Sequence, residues 1–222
     1  MKNTLKYLMW GVIIAPLIYL AFVWNQVPEI VPTHFGVSGQ PDAYGPKWTL
    51  IILSAVSVGI YFLLRYVPQL DPRLNQAALS EHYPKLILLI LTFMGAVQIL
   101  VIRSAMTKIA GEAFTNIIFV GVFLLLAGVG NYLNNIKSNY FVGIRTPWTL
   151  ENETVWRKTH QLGGKLYFAI GIIGALGVVW LPNLWKIVWT MGLIFGATIW
   201  IVVYSYQVYQ KEKNESTSDN TL

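Results

Sequence analysis

Cysteine is absent from all 222 residues, which excludes disulfides, thiolate nucleophiles and Cys-based zinc sites. Charge is scarce: Asp, Glu, Lys and Arg make up 12% of the chain, against roughly 25% in an average soluble domain. Hydrophobic residues make up 55%, and a soluble chain of that composition would leave large apolar patches in water. Long stretches have no charge at all. Six uncharged runs cover 7–28, 48–64, 86–102, 113–136, 166–185 and 187–210, by subtraction 22, 17, 17, 24, 20 and 24 residues. None contains Asp, Glu, Lys, Arg or His. That lack argues against a proton- or ion-coupled pump, which needs ionisable groups at membrane depth.

What is there fits a membrane. Each run crosses a hydrocarbon core of about 30 Å at about 1.5 Å per residue, with flanking polar residues completing the two shortest. A spanning segment must satisfy its backbone internally, so helices are expected. The first run, preceded by Lys2 and Lys6, is too long for a signal peptide and lacks an Ala-x-Ala-like site, so it reads as a retained helix. With the N-terminus inside, twelve Lys and Arg fall on the inner side and four on the outer. This bias predicts N-in/C-in topology and accounts for the net charge of +6 without direct nucleic-acid binding. The expected fold is an all-α integral membrane protein with six transmembrane helices. The chain divides into an N-terminal pair (1–67), a middle pair (68–134), a loop with the C-terminal pair (135–210) and a tail (211–222), which its polar composition marks as disordered.

Two loops are richer than connectors need to be. The outer loop, 25–47, is punctuated by Pro28, Pro32, Pro41, Pro46, Gly36, Gly39 and Gly45, and predicts a series of turns rather than a helix or strand. It would hold His34, Asp42, Tyr44 and Lys47 in fixed positions. His34 and Asp42 fall short of a metal's ligand set, with Glu29 at no fixed distance, and no cofactor is expected. An Asx-turn made by Asp42 is the simpler reading, and a cationic peptide or a metal the sharper one. On the inner side, a short helix is expected over 75–81 before Pro84 opens the third span.

The second loop, 135–164, carries Gly143, Arg145, Thr146, Pro147, Trp148, Trp156 and His160. Gly143 permits a tight turn, and Thr146 before Pro147 is forced into an extended step. A cytoplasmic helix follows, capped by Thr149 or Asn152, acidic at Glu151 and Glu153 and basic at Arg157 and Lys158. Gly163-Gly164 would stop it before the fifth span. Val155, Thr159 and Leu162 form one stripe, Trp156 and His160 another. Such a helix lies on the membrane surface, anchored by Trp148 and Trp156, or docks a partner. Arg145 would brace the turn or meet a partner's carboxylate, and His160 could act as a base. Within the spans, Gln98, Asn116, Asn131 and Asn134 are expected to bond neighbouring helices. Gly171, Gly174 and Gly177 on the fifth span and Gly192-x-x-x-Gly196 on the sixth are expected to pack within the chain, with a homo-oligomer as the alternative.

The stretch Gly143-Ile-Arg-Thr-Pro-Trp-Thr-Leu150, with Val155-Trp156, Thr159-His160 and Gly163-Gly164, resembles the signature of the SdpI family. Pro32-Thr-His-Phe-Gly36, Gly39-Gln-Pro-Asp42 and Tyr44-Gly-Pro-Lys47 resemble a domain of unknown function that often precedes it. The resemblance implies a six-helix bacterial plasma-membrane immunity protein, embedded in lipid, that protects its cell from a secreted membrane-active peptide toxin. It also implies signalling, by holding a transcriptional repressor at the membrane. On this reading the protein is not an enzyme, and both loops carry the toxin-binding or switch residues. A transporter or channel lined by Gln98, Asn116 and Asn131 is the alternative, and a metal enzyme using His34 or His160 ranks third.

Overall fold

The computed structural model describes residues 3–71, 82–107 and 109–219; the segment expected to form a helix over 75–81 lies outside them. The described residues form seven α-helices in order: α1 (Asn3–Val23), α2 (Ile52–Tyr66), α3 (Tyr83–Thr107), α4 (Gly111–Leu133), α5 (Pro147–Glu151), α6 (Glu153–Val178) and α7 (Asn183–Asp219). Six are long and apolar enough to cross a membrane, α1 and α2 with the help of adjoining 3-10 turns. The all-helical spanning fold is therefore as the uncharged runs require.

In space, α3 packs against α1, α2 and α4, while α4 lies along α6 and α6 along α7. One core joins Met9 and Ile13 of α1 to Tyr61 of α2 and Ile87 and Leu91 of α3. Gln98, buried on α3, accepts a hydrogen bond from Ser54 Oγ at 2.9 Å and donates to Leu50 O at 3.2 Å. Its amide thus ties α3 to the start of α2, as expected for an amide at membrane depth. Asn131 and Asn134 are exposed instead.

Four local expectations are corrected. Residues 25–47 are not turns alone: Ile30–Phe35 (β1) and Pro41–Pro46 (β2) form an antiparallel hairpin with register Ile30↔Pro46, Pro32↔Tyr44 and Phe35↔Pro41. Both strands are edges, so a proline without an N–H removes no interior ladder bond, and the irregular register between Pro32 and Phe35 absorbs the rest. The base of the hairpin has its own core, with Val31 buried among Leu20, Val27, Leu50 and Ile102. Gly163-Gly164 does not stop a helix either, because α6 runs unbroken through both. A Cβ on Gly164 would lie 2.8 Å from Gly130 O and 2.7 Å from Asn134 Oδ1. The pair serves close approach to α4, which outweighs about 1 kcal/mol of helix propensity per glycine.

Among the described residues, Gly192 and Gly196 meet no atom within 4 Å where a Cβ would stand, so packing of α7 on these residues does not use them. Finally, α7 continues to Asp219 where the tail composition predicted disorder. Lys158 of α6 pairs with Glu212 at 2.9 Å, a contact between neighbouring helices that local composition does not report.

Candidate functional site

Two clusters stand at opposite ends of the helix bundle. At one end the hairpin tip bridges α4 and α7. Gly39 adopts φ 72°, a conformation that favours glycine, and its carbonyl accepts from Gly111 N–H at 2.7 Å. Asn183, opening α7, donates from Nδ2 to Ser38 O at 2.7 Å. Phe35 stacks on Phe114 of α4 with ring centroids 3.9 Å apart.

His34 and Asp42 meet across this hairpin, Nδ1 to Oδ1 at 2.5 Å, with side chains 69% and 53% exposed. Asp42 therefore does not form the expected Asx-turn; the strand pairing carries it to His34. Tyr44 is exposed on β2. Lys47 turns away from the pair, binding Glu29 Oε1 at 2.8 Å and lying 4.7 Å from the Trp24 ring centroid. Glu29 is thereby held by Lys47 rather than offered as a third ligand. Among the described residues, no three His, Cys, Asp or Glu side chains are grouped to hold a metal.

Sequence reasoning missed Lys186 here. It is one of the four outer-side Lys and Arg, yet its side chain is 0% exposed, with Nζ 2.9 Å from Asn183 Oδ1, 3.3 Å from Thr115 Oγ1 and 3.7 Å from Glu112 Oε1. A buried ammonium is tolerated only when partnered in this way. Nothing in its one-dimensional neighbourhood signals burial.

At the other end, the loop between α4 and α6 folds into a knot. Asn139 starts it: Oδ1 accepts from Phe141 N at 2.9 Å and Val142 N at 2.7 Å, while Nδ2 donates to Lys137 O and Val142 O. An Asn that caps its own following residues is a turn signal, and this one was overlooked. Gly143 follows at φ 123°, and a Cβ there would lie 2.4 Å from His160 Nε2. Thr146 is extended (φ −119°, ψ 161°), as the following proline dictates, and forms a reciprocal capping box with Thr149; Pro147 is N1 of α5. Asn152 caps α6, accepting from Thr154 N and Val155 N at 2.8 and 3.0 Å.

The aromatic residues do not anchor a surface helix, which corrects the interfacial reading. Trp156 is 2% exposed, donates from Nε1 to Ile136 O at 2.9 Å and stacks on His160 at 4.0 Å. Trp148 reaches α7, donating from Nε1 to buried Ser205 Oγ at 2.8 Å and meeting Tyr206 edge-on. His160 is 1% exposed with both nitrogens in use. Nδ1 lies 2.8 Å from Trp156 O, and Nε2 lies 3.0 Å from Ile144 N. Only the neutral ring with its proton on Nδ1 satisfies both. A ring so engaged has no nitrogen left to act as a base. The Arg145 side chain bonds Tyr140 O, so it braces the turn. Tyr140 N in turn donates to Asp71 Oδ2 at 2.6 Å, tying the loop to the segment after α2; sequence reasoning missed Asp71 as well.

The fold is thus that of a six-span helical membrane protein with a hairpin cap at one end and a tightly hydrogen-bonded loop at the other. Residues 135–205 match the SdpI/YfhL protein family, and residues 11–58 match a domain of unknown function, DUF1648. The chain thus carries the SdpI/YfhL segment, containing the whole knot, behind a DUF1648 segment that includes the hairpin. It is 26% identical over 206 residues to the immunity protein SdpI of Bacillus subtilis strain 168, covering 90% of this chain and 95% of that one. An uncharacterized protein of Archaeoglobus fulgidus is 49% identical over 39 residues, 18% of this chain and 21% of that one. No solved structure matches the chain.

Proposed function

We propose that this chain is a non-enzymatic membrane immunity protein that protects its cell against a secreted membrane-active peptide. The observation that carries the reading is the similarity to an immunity protein along nine-tenths of the chain. The placement of Lys and Arg supports a hairpin end outside, where such a peptide arrives, and a knot inside. His34, Asp42 and Tyr44 are among the exposed polar groups of the hairpin, and on this reading they form the surface that meets the peptide. In the knot, Gly143, Thr146, Trp148, Trp156 and His160 hold the framework. Arg145 and Pro147 are its exposed rim, and a repressor held at the membrane would dock there.

The test is survival. A sensitive bacterium carrying the protein, and its twin with an empty vector, are challenged with a panel of secreted membrane-active peptides. Survival of the first alone against at least one peptide is the expected result; equal killing by every peptide overturns the reading.

A further inference from the structure

We infer that a cavity beneath the hairpin binds the cationic end of an apolar peptide, with Asp42 and His34 as the polar contacts and Phe35, Phe114 and Phe119 as the apolar wall. This rests on the immunity reading and names the chemistry of its ligand. The cavity holds about 500 Å³ between the hairpin, α4 and Ile187 of α7. That lies within the range of small-molecule sites, which are mostly apolar with a few placed polar groups.

The polar edge here offers acceptors. Asp42 Oδ1 takes the bond from His34 Nδ1, and among the described residues no hydrogen bond is made to Asp42 Oδ2. A neutral His34 in that bond leaves Nε2 as a second acceptor. Gly36 keeps the carboxylate uncovered, because a Cβ there would stand 3.0 Å from Oδ2. Among the described residues, the lysine ion pairs join other carboxylates, with Lys47 on Glu29 and Lys186 on Glu112. A carboxylate at the mouth of an apolar cavity without a lysine or arginine of its own is matched by an incoming ammonium or guanidinium.

The roof is also built in advance. The Gly111–Gly39 and Asn183–Ser38 hydrogen bonds and the Phe35–Phe114 stack hold the hairpin over the cavity, which reduces the ordering cost of binding. A phosphatidylethanolamine head is the other common source of an ammonium on an apolar chain, but its phosphate would approach the same carboxylate and be repelled. A lysine side chain or a free amino terminus on an apolar peptide carries no such anion.

The test uses the full chain in phosphatidylcholine nanodiscs, with the ¹⁵N signals of the His34 ring as the readout. Dodecylammonium is titrated against its uncharged twin dodecanol, and a leucine-rich peptide ending in lysine against the same peptide ending in norleucine. The cationic member of each pair should shift His34 at a midpoint about tenfold lower, the equivalent of about 1.4 kcal/mol. Asp42→Asn should abolish that preference, and Ile118→Trp, which fills the cavity, should abolish the shift. The buried His160 signals should stay still. Equal midpoints within the pairs, or an unchanged preference in Asp42→Asn, overturn the inference. Binding of dodecylammonium without the lysine peptide overturns the peptide assignment, as does a His34 shift produced by phosphatidylethanolamine added to the nanodiscs. Survival separates the two readings. Protection by wild type and by a well-folded Ile118→Trp alike sinks the cavity alone, whereas failure of protection by wild type sinks immunity and leaves the titrations to decide the cavity.

Discussion

The hairpin end and the knot end are both dense in polar and aromatic residues in the sequence, but their side chains are engaged differently. In the knot, polar groups turn inward: Trp156 to Ile136, Trp148 to Ser205, and His160 to Trp156 and Ile144. At the hairpin, backbone contacts and ring stacking fix the shape, and His34, Asp42 and Tyr44 stay exposed. A region whose side chains are occupied in holding it together is a framework. One held by its backbone has side chains free for a ligand. A motif dense in Arg, Trp and His can therefore be structural, while a sparser loop carries the recognition.

This contrast predicts graded effects. The largest is expected for Gly143→Val, which forces a branched residue into φ 123° and drives its Cβ to within 2.4 Å of His160 Nε2. Strain and overpacking together should cost about 3 kcal/mol or more, read as a collapse of the thermal midpoint of the detergent-purified protein. His160→Ala comes next. It empties a buried site and leaves the Ile144 N–H without its acceptor, a loss of about 2–3 kcal/mol in the same melt. Asp71→Ala releases Tyr140 N from its carboxylate and should cost about 1.5–3 kcal/mol. Glu212→Gln weakens a partly exposed ion pair, a smaller loss than these, and the difference should shrink in high salt. The smallest effect on the melt, within about 0.5 kcal/mol, is expected for Asp42→Asn, because Asp42 is exposed and holds no part of the framework. A melt in which Asp42→Asn cost as much as His160→Ala would erase the distinction between the ends.

Much of this was legible beforehand. Charge-free runs required spanning helices, and Thr146-Pro147 followed by Asn152 required a step and a cap, because these depend on local chemistry. The hairpin was not legible, since its prolines disfavour strands in general and only the two-edged ribbon with Val31 buried at its base tolerates them. Gly163-Gly164 pointed to a helix end by propensity, and the approach of Gly130 from another helix reversed that. Burial of Lys186 and the inward turn of Trp156 likewise depend on residues tens of positions away: Thr115 for the first and Ile136 for the second. Periodicity showed that Trp156 and His160 share a helix face. It could not show that the face packs against protein rather than lipid.

The most direct measurement compares survival of cells expressing wild type, Asp42→Asn and His160→Ala, each normalised to folded protein in the membrane, against a peptide from which wild type protects. Asp42→Asn is expected to lose protection at full protein level, while His160→Ala loses it only in proportion to folded protein lost. Undiminished protection by Asp42→Asn, with protection lost per folded molecule in His160→Ala, would place recognition at the knot and not at the hairpin.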